Sequence, residues 1–337
     1  MSQTESFSNC TADAMRDAAE TLVAGNLVAF PTETVYGLGA DACNAIGVAR
    51  IYEVKGRPAD HPLIVHMASM DGLGEWARDV PGYAISLARD FWPGPMTLVL
   101  KRSSLAKDFI TGGQDTVGVR VPDHVVALAL LEAFENLGGK GIAAPSANRF
   151  GQVSPTTAAA VAEEIGEFLD SADQIIDGGA CAVGVESTII DCTGDVPRIL
   201  RPGAITASMV EQSTGIQVTK VIGSSNVGVV NNSVGVNAEA IRVSGSLENH
   251  YAPAAQVFLC EIPTPGQGFI AHANMETPAG VSRLASPHND EEFAQILYSA
   301  LREADAQGLK EVVVMQPIGI GIAVAIRDRL ARAANGR

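Results

Sequence analysis

The sequence predicts an α/β protein built on a mixed open sheet, with a second, smaller α/β unit after it. Strand-like and helix-like segments alternate over the first two-thirds of the chain. Strands outnumber helices there, which favours a mixed sheet over a purely parallel one. The last part of the chain then reads strand, helix, strand, helix.

Each element rests on a local pattern. Met15, Ala19, Leu22 and Val23 recur at helical spacing, and Gly25 stops the helix. A short strand follows at residues 27–30. A turn-rich loop carrying Lys55 and Arg57 then leads to an apolar strand at residues 63–67. A helix over residues 83–91 ends at Trp92-Pro93-Gly94-Pro95, which no helix crosses. Residues 96–100 form a strand, and residues 117–121 form another by their β-branched alternation. Pro122-Asp123 caps a helix that runs to Phe134. Residues 142–144 form a short apolar strand entering Pro145-Ser146-Ala147-Asn148, and residues 156–165 form a helix entered through Pro155. Strands at residues 187–191 and 198–200 complete the first unit. From about 221 to 246 the chain turns to Gly, Ser, Asn and Val and reads as a linker. Beyond it lie strands at residues 257–262 and 312–315. Phe293, Ile296, Leu297, Ala300, Leu301 and Ala304 mark an amphipathic helix ended by Gly308, and a last helix follows Gly319 and Gly321.

Bulk properties narrow the function. A length of 337 residues implies about two domains. With 23 basic against 38 acidic residues the net charge is −15, which disfavours tight binding to phosphate backbones. An RNA-binding module, needing a basic face with interleaved aromatics, has little support at 5% aromatic content. Cys10, Cys43, Cys181, Cys192 and Cys260 form no CxxC pair, so reduced thiols are expected rather than a zinc site or a disulfide framework. Residues 1–10 lack a basic start and an apolar run, and no segment approaches the ~18 apolar residues of a membrane span. The expectation is a cytoplasmic protein. GxxxxGK[ST], GxSxG and HExxH are all missing, and the six histidines have no metal-like spacing. The GxGxxA echo at Gly37–Ala42 opens no helix after a strand and is discounted.

Against an acidic background, clustered cations stand out. Lys55 and Arg57 sit two residues apart, with Gly56 and Pro58 imposing a turn and His66 emerging from the next strand end. Such a pair could cap a helix C-terminus in solvent. Its place near a strand end, where open α/β sheets bind ligands, favours a multiply charged anion. Arg120 and Arg201 each lie in a strand, either facing solvent or buried against an anion. Pro145–Asn148, Ser154–Thr157 and Glu186-Ser187-Thr188 place small polar groups beside strands.

Taken together, Pro31-Thr32-Glu33-Thr34-Val35-Tyr36-Gly37-Leu38, Lys55-x-Arg57, Pro62-Leu63-Ile64-Val65-His66, Trp92-Pro93-Gly94-Pro95-Met96-Thr97, Arg120-Val121-Pro122, Ala144-Pro145-Ser146-Ala147-Asn148 and Glu186-Ser187-Thr188-Ile189 resemble the YrdC-like domain of threonylcarbamoyl-AMP synthases. Asn249-His250-Tyr251-Ala252-Pro253 resembles the linker of the two-domain form, and the segment 319–334 resembles the end of its C-terminal domain. The resemblance implies a twisted, mixed open sheet with a concave positive cavity at residues 12–212, a linker at 213–255, and a small Rossmann-like domain at 256–337. It further implies a nucleotidyltransferase that converts L-threonine, bicarbonate or CO2, and ATP into threonylcarbamoyl-adenylate and pyrophosphate. A separate transferase would carry the group to position 37 of tRNA.

By the same resemblance Lys55 and Arg57 are the catalytic residues and hold the triphosphate, with Mg²⁺ bridging its oxygens. Thr34, His66, Arg120, Ala144 and Ser187 hold threonine. His61, Thr116, Ser146, Asn148, Ser154 and Arg201 join Lys55 and Arg57 around ATP, while His250 and Tyr251 form a linker lid. No protein-held metal and no tight nucleic-acid contact are implied. His61 stands where the family commonly has Asn, and Val243–Glu248 replaces a Pro-Gly-Met-Lys-Tyr type run. The alternatives are a carbamoyl-adenylate-forming maturation enzyme, which would usually carry CxxC segments, and a tRNA-binding module.

Overall fold

The computed structural model describes residues 11–220, 241–243, 245 and 251–336. The first sheet is assembled from β1 (Val28–Phe30), β2 (Gly37–Asp41), β3 (Ile64–His66), β4 (Met96–Lys101), β5 (Thr116–Arg120), β6 (Ile142–Ala143), β7 (Gln174–Ile175), β8 (Thr188–Asp191), β9 (Arg198–Arg201) and β10 (Thr219–Lys220). They lie in the order β10-β9-β8-β4-β5-β3-β6-β2-β1-β7. Antiparallel pairs such as β4–β5 and β8–β9 alternate with parallel pairs such as β3–β5 and β4–β8, so the sheet is mixed as expected. The helices of this part are α1 (Ala12–Val23), α2 (Ala45–Lys55), α3 (Leu73–Trp76), α4 (Gly82–Phe91), α5 (Asp108–Thr111), α6 (Val125–Asn136), α7 (Ala158–Ile165) and α8 (Ala207–Thr214).

The second sheet holds β11 (Gln256–Leu259), β12 (Gly268–Ile270), β13 (Ser282–Ala285) and β14 (Glu311–Val314) in the order β11-β14-β12-β13, all parallel. Helices α9 (Asp290–Ala306) and α10 (Ala323–Ala334) pack on it. This is the small α/β unit read from the sequence. The Asn289 side chain caps α9 by accepting from the Glu292 amide, and three acidic residues occupy its first turn, where the helix dipole favours them.

Several elements differ from the sequence reading. The stretch holding Lys55 is a helix rather than a loop: α2 starts at the Asn44 cap and ends with Gly56 at φ 59°. Its apolar residues Ile46, Val48, Ile51 and Val54 are β-branched, and Ile46 is exposed, so neither propensity nor a clean stripe marks the helix. The helix after Val121 is capped by His124, not Asp123, with the imidazole accepting from the Val126 amide. Segments β7, β10, β12 and β13 are too short or too weakly patterned to announce themselves. The first sheet continues to Lys220, beyond residue 212.

The two units share an apolar seam. Val35, Val153 and Val185 of the first pack with Phe293, Leu297 and Tyr298 of α9 in one buried cluster. Gly184 (φ 77°) lets the backbones meet, since a Cβ there would lie 2.4 Å from the Cα of Gln295. Arg302 of α9 closes the seam by pairing with Glu164 at 2.9 Å and donating to the Val153 carbonyl.

Candidate active site

Parallel strands β3 and β5 end in register, so His66 and Arg120 emerge side by side at the carboxyl ends of two central strands. The β1–β2 connection lies beside them. Its turn is held by Thr32, whose hydroxyl donates to the Val35 carbonyl at 2.7 Å and accepts from the Thr34 and Val35 amides at 3.2 Å. This aims the Thr34 hydroxyl at Arg120, which donates to it at 2.9 Å. Arg120 Nη2 lies 2.7 Å from the Glu33 carboxylate, and Nε donates to the Gly94 carbonyl at 3.4 Å. His66 is pushed down to about 3, by burial first and by Arg120 second, so its imidazole is neutral at physiological pH.

Across the cleft, β8 and β9 supply a second cation. Arg201 donates to the Ser187 carbonyl from Nε at 3.1 Å and Nη2 at 3.0 Å, and to the Ser187 hydroxyl at 3.1 Å. That hydroxyl also meets Thr97 Oγ1 at 2.8 Å. Burial lowers Arg201 from its ordinary range. Between the two arginines lies a cleft of about 460 Å³ of empty space, counting its open mouth. Thr34, His66, Arg120, Ala144, Ser146, Ser187, Arg201 and Tyr251 line it, eight of the residues singled out from the sequence.

Lys55 ends α2 beneath the loop after β6, and its ammonium donates to the Ser146 and Asn148 carbonyls at 2.5 Å. Burial, then Arg57, pushes Lys55 well below its ordinary range. Arg57 donates to the Pro62 carbonyl at 3.0 Å, and burial lowers it to about 10. Lys55, Arg57, Arg120 and Arg201 are 2%, 7%, 4% and 4% exposed. All four are therefore buried, unlike solvated surface charges.

Other sequence-derived residues lie apart from the cleft. Thr116 lines an adjoining groove with Gln114, Arg242 and Val243, and the two spaces share Ile64. The Gln114 amide brackets the Arg242 backbone there, accepting at 2.7 Å and donating at 3.0 Å. His61 packs edge-on against Phe150, with ring centres 5.4 Å apart. Asn148 donates to the Arg149 and Gln152 carbonyls, which shapes its loop. Ser154 donates to Glu186 at 2.7 Å, behind the cleft wall. His250 lies outside the described residues. Tyr251 (φ 63°), by contrast one of the cleft's lining residues, is buried and stacked on Tyr298 at 5.7 Å, with the Arg329 guanidinium 5.3 Å from its ring.

Sequence reasoning assigned no role to Glu33, Glu186, Tyr298 or Arg329. Glu186 lines the cleft and accepts from Arg329 Nε at 2.7 Å and Tyr298 Oη at 2.9 Å. Burial by itself would raise this carboxyl. Arg329 and Arg201, with hydrogen bonds from Arg329 and Ser154, overcome it and hold the group at about 2. A signal was present: Arg329 falls on the same helical stripe as the buried Ile326, Leu330 and Ala333, where a charge needs a buried partner.

Comparison with known proteins converges with this geometry. Residues 20–203 match the family described as "Telomere recombination", and residues 205–335 match "Threonylcarbamoyl-AMP synthase, C-terminal domain". The threonylcarbamoyl-AMP synthase of Pyrococcus abyssi is 41% identical, over 96% of this chain and 94% of its own length. That of Bacillus subtilis is 37% identical over 95% and 92%. The crystal structure of P. abyssi Sua5 complexed with L-threonine aligns with a TM-score of 0.82 at 39% identity, covering 96% of this chain and 95% of that one. A mixed sheet with a buried cationic cleft, joined to a parallel α/β unit, is thus the framework of a nucleotidyltransferase. The chain belongs to the two-domain threonylcarbamoyl-AMP synthase family, whose product serves threonylcarbamoyladenosine formation in tRNA.

Proposed function

We propose that this chain joins L-threonine, bicarbonate or CO2, and ATP into threonylcarbamoyl-AMP, releasing pyrophosphate. The observation that carries the reading is that buried Arg120 and Arg201 line one cleft, with buried Lys55 bonded to the carbonyl of Ser146, which lines it too. The neutral threonine amine adds to CO2 and gives up a proton to solvent or bicarbonate, and an oxygen of the resulting carbamate attacks the α-phosphorus of ATP. The bond from that phosphorus to the bridging oxygen breaks, and pyrophosphate leaves. The carbamate is already anionic, so neither a covalent nucleophile nor a strong base is needed. Positioning and charge neutralisation in a partly dry cavity suffice.

Arg120, held by Thr34, Glu33 and the Gly94 carbonyl, lines the cleft and receives the threonine carboxylate. Thr34, neutral His66, Ala144 and Ser187 surround the rest of the amino acid. Ser146 and Arg201 contact the nucleotide, with Thr116 and His61 on its outer side. Lys55 and Arg57 hold the phosphates, while Asn148 and Ser154 support the surrounding loops. The described carboxylates nearest the reaction, Glu33 and Glu186, each face an arginine. Among the described residues no group of three or more His, Cys, Asp or Glu side chains could hold a metal ion. Mg²⁺ would enter with ATP and supply charge neutralisation on the triphosphate beside Lys55 and Arg57. His250 and Tyr251 close the linker over the adenylate and exclude water.

No helix among the described residues is long and apolar enough to cross a membrane. We place the enzyme in the cytoplasm, upstream of a separate tRNA transferase and without tight nucleic-acid binding of its own. Pyrophosphate release from ATP should require L-threonine and bicarbonate together. Equal release without threonine would overturn the assignment.

A further inference from the structure

The second unit contributes two side chains to the back of the cleft. Arg329 of α10 donates to the Glu186 carboxylate at 2.7 Å, and its Nη2 donates to the Pro202 carbonyl at 3.0 Å. Tyr298 of α9 donates to the same carboxylate at 2.9 Å. Glu186 immediately precedes Ser187, and Pro202 immediately follows Arg201, so the second unit holds both strands that carry the Ser187–Arg201 contact. Tyr251 of the linker rests on these same two groups, stacked on Tyr298 and facing the Arg329 guanidinium.

We infer that Arg329 is a positioning residue that neutralises Glu186 and thereby keeps Arg201 available to the nucleotide. Arg329 is the ion-pair partner of this buried carboxylate, and Arg201 lies close enough to favour its charge. With Arg329 present, Glu186 has its own counter-charge, and Arg201 remains clamped on Ser187 at the cleft wall. Without it, the nearest buried guanidinium able to satisfy Glu186 is Arg201, which already contributes to holding that carboxyl ionised. Arg201 would turn towards Glu186, away from the cleft, and Tyr251 would lose the cation beneath its ring. The activity of the first unit therefore depends on a charge supplied by the second. This inference rests on the nucleotide role given above to Arg201.

The test is calorimetric binding of a non-hydrolysable ATP analogue and of L-threonine to the full chain, with thermal denaturation run in parallel. Arg329→Met is expected to weaken the ATP analogue at least tenfold. Threonine, anchored on Arg120 at the far wall, should shift less than threefold. Arg329→Lys should retain most nucleotide affinity. The double variant Arg329→Met, Glu186→Gln, which removes both charges, should recover nucleotide affinity to within about threefold of the parent. Unchanged analogue binding in Arg329→Met would overturn the inference. So would a double variant no better than the single one, or parallel loss of both ligands tracking a fall in Tm. Failure of the unaltered chain to bind the analogue would instead sink the nucleotide site itself, and the inference with it.

Discussion

At the residue scale, the buried cations make the strongest demands. Lys55 in the ligand-free chain is pushed well below its ordinary range by burial and Arg57. Phosphates arriving beside it favour the charged form, which already donates to the Ser146 and Asn148 carbonyls. Replacing Lys55 or Arg57 by Ala should lower pyrophosphate release by roughly 100-fold or more. Lys55→Ala should also reduce stability, because the Ser146 and Asn148 carbonyls lose their buried donor. His66 sets a pH dependence of stability. Its folded value of about 3 lies below the ordinary 6.5, so between these the unfolded chain binds a proton that the folded chain refuses. Stability should fall as pH drops through that window and be insensitive to His66 above it. Glu186, held at about 2 against an ordinary 4.5, stabilises above 4.5 and loses that contribution as pH falls towards 2. Denaturation midpoints at pH 5 and 7.5 should differ more for the parent than for His66→Leu.

Elements decide how those residues meet. Register between β3 and β5 brings His66 beside Arg120. The sequence marked both runs as strands but not that they pair. Helix α2 was not read as an element; Lys55 is its last residue, the helix end weighed as the alternative setting, but buried rather than solvated. Close approaches are equally specific. At Gly184 an added Cβ meets the α9 backbone, which cannot yield as a flexible side chain would. Gly184→Val should loosen the seam between the units, lowering Tm by several degrees and exposing the junction to limited proteolysis. Gly245 (φ 77°) lies so close to Tyr251 that a Cβ would sit 2.2 Å from its hydroxyl. Gly245→Ala should misplace the lid and cut turnover by on the order of 100-fold with little change in Tm. A large Tm loss with turnover retained would refute that role.

For the molecule as a whole, the seam makes two α/β units energetically dependent on each other. Removing residues 221–337 would expose Val35, Val153 and Val185 and strand the Glu186 carboxylate without Arg329. Leaving one partner of a buried ion pair costs about 3–5 kcal/mol, a large share of the ~5–15 kcal/mol that stabilises a typical domain. The fragment 11–220 should unfold at a markedly lower denaturant concentration than the full chain and release no pyrophosphate. Equal midpoints for fragment and full chain would show that the seam contributes little.

What the sequence by itself determined was the class of fold, most strand positions, and the residues able to meet an anion, because alternation, breakers and isolated basic groups are local signals. Only the tertiary structure decided which of those cations share one cleft and which carboxylate answers which guanidinium. Glu186 and Arg329 stand 143 positions apart. Their pairing arises from the docking of α10 against the end of β8, and no local pattern encodes the distance between two surfaces that meet only after both units have folded.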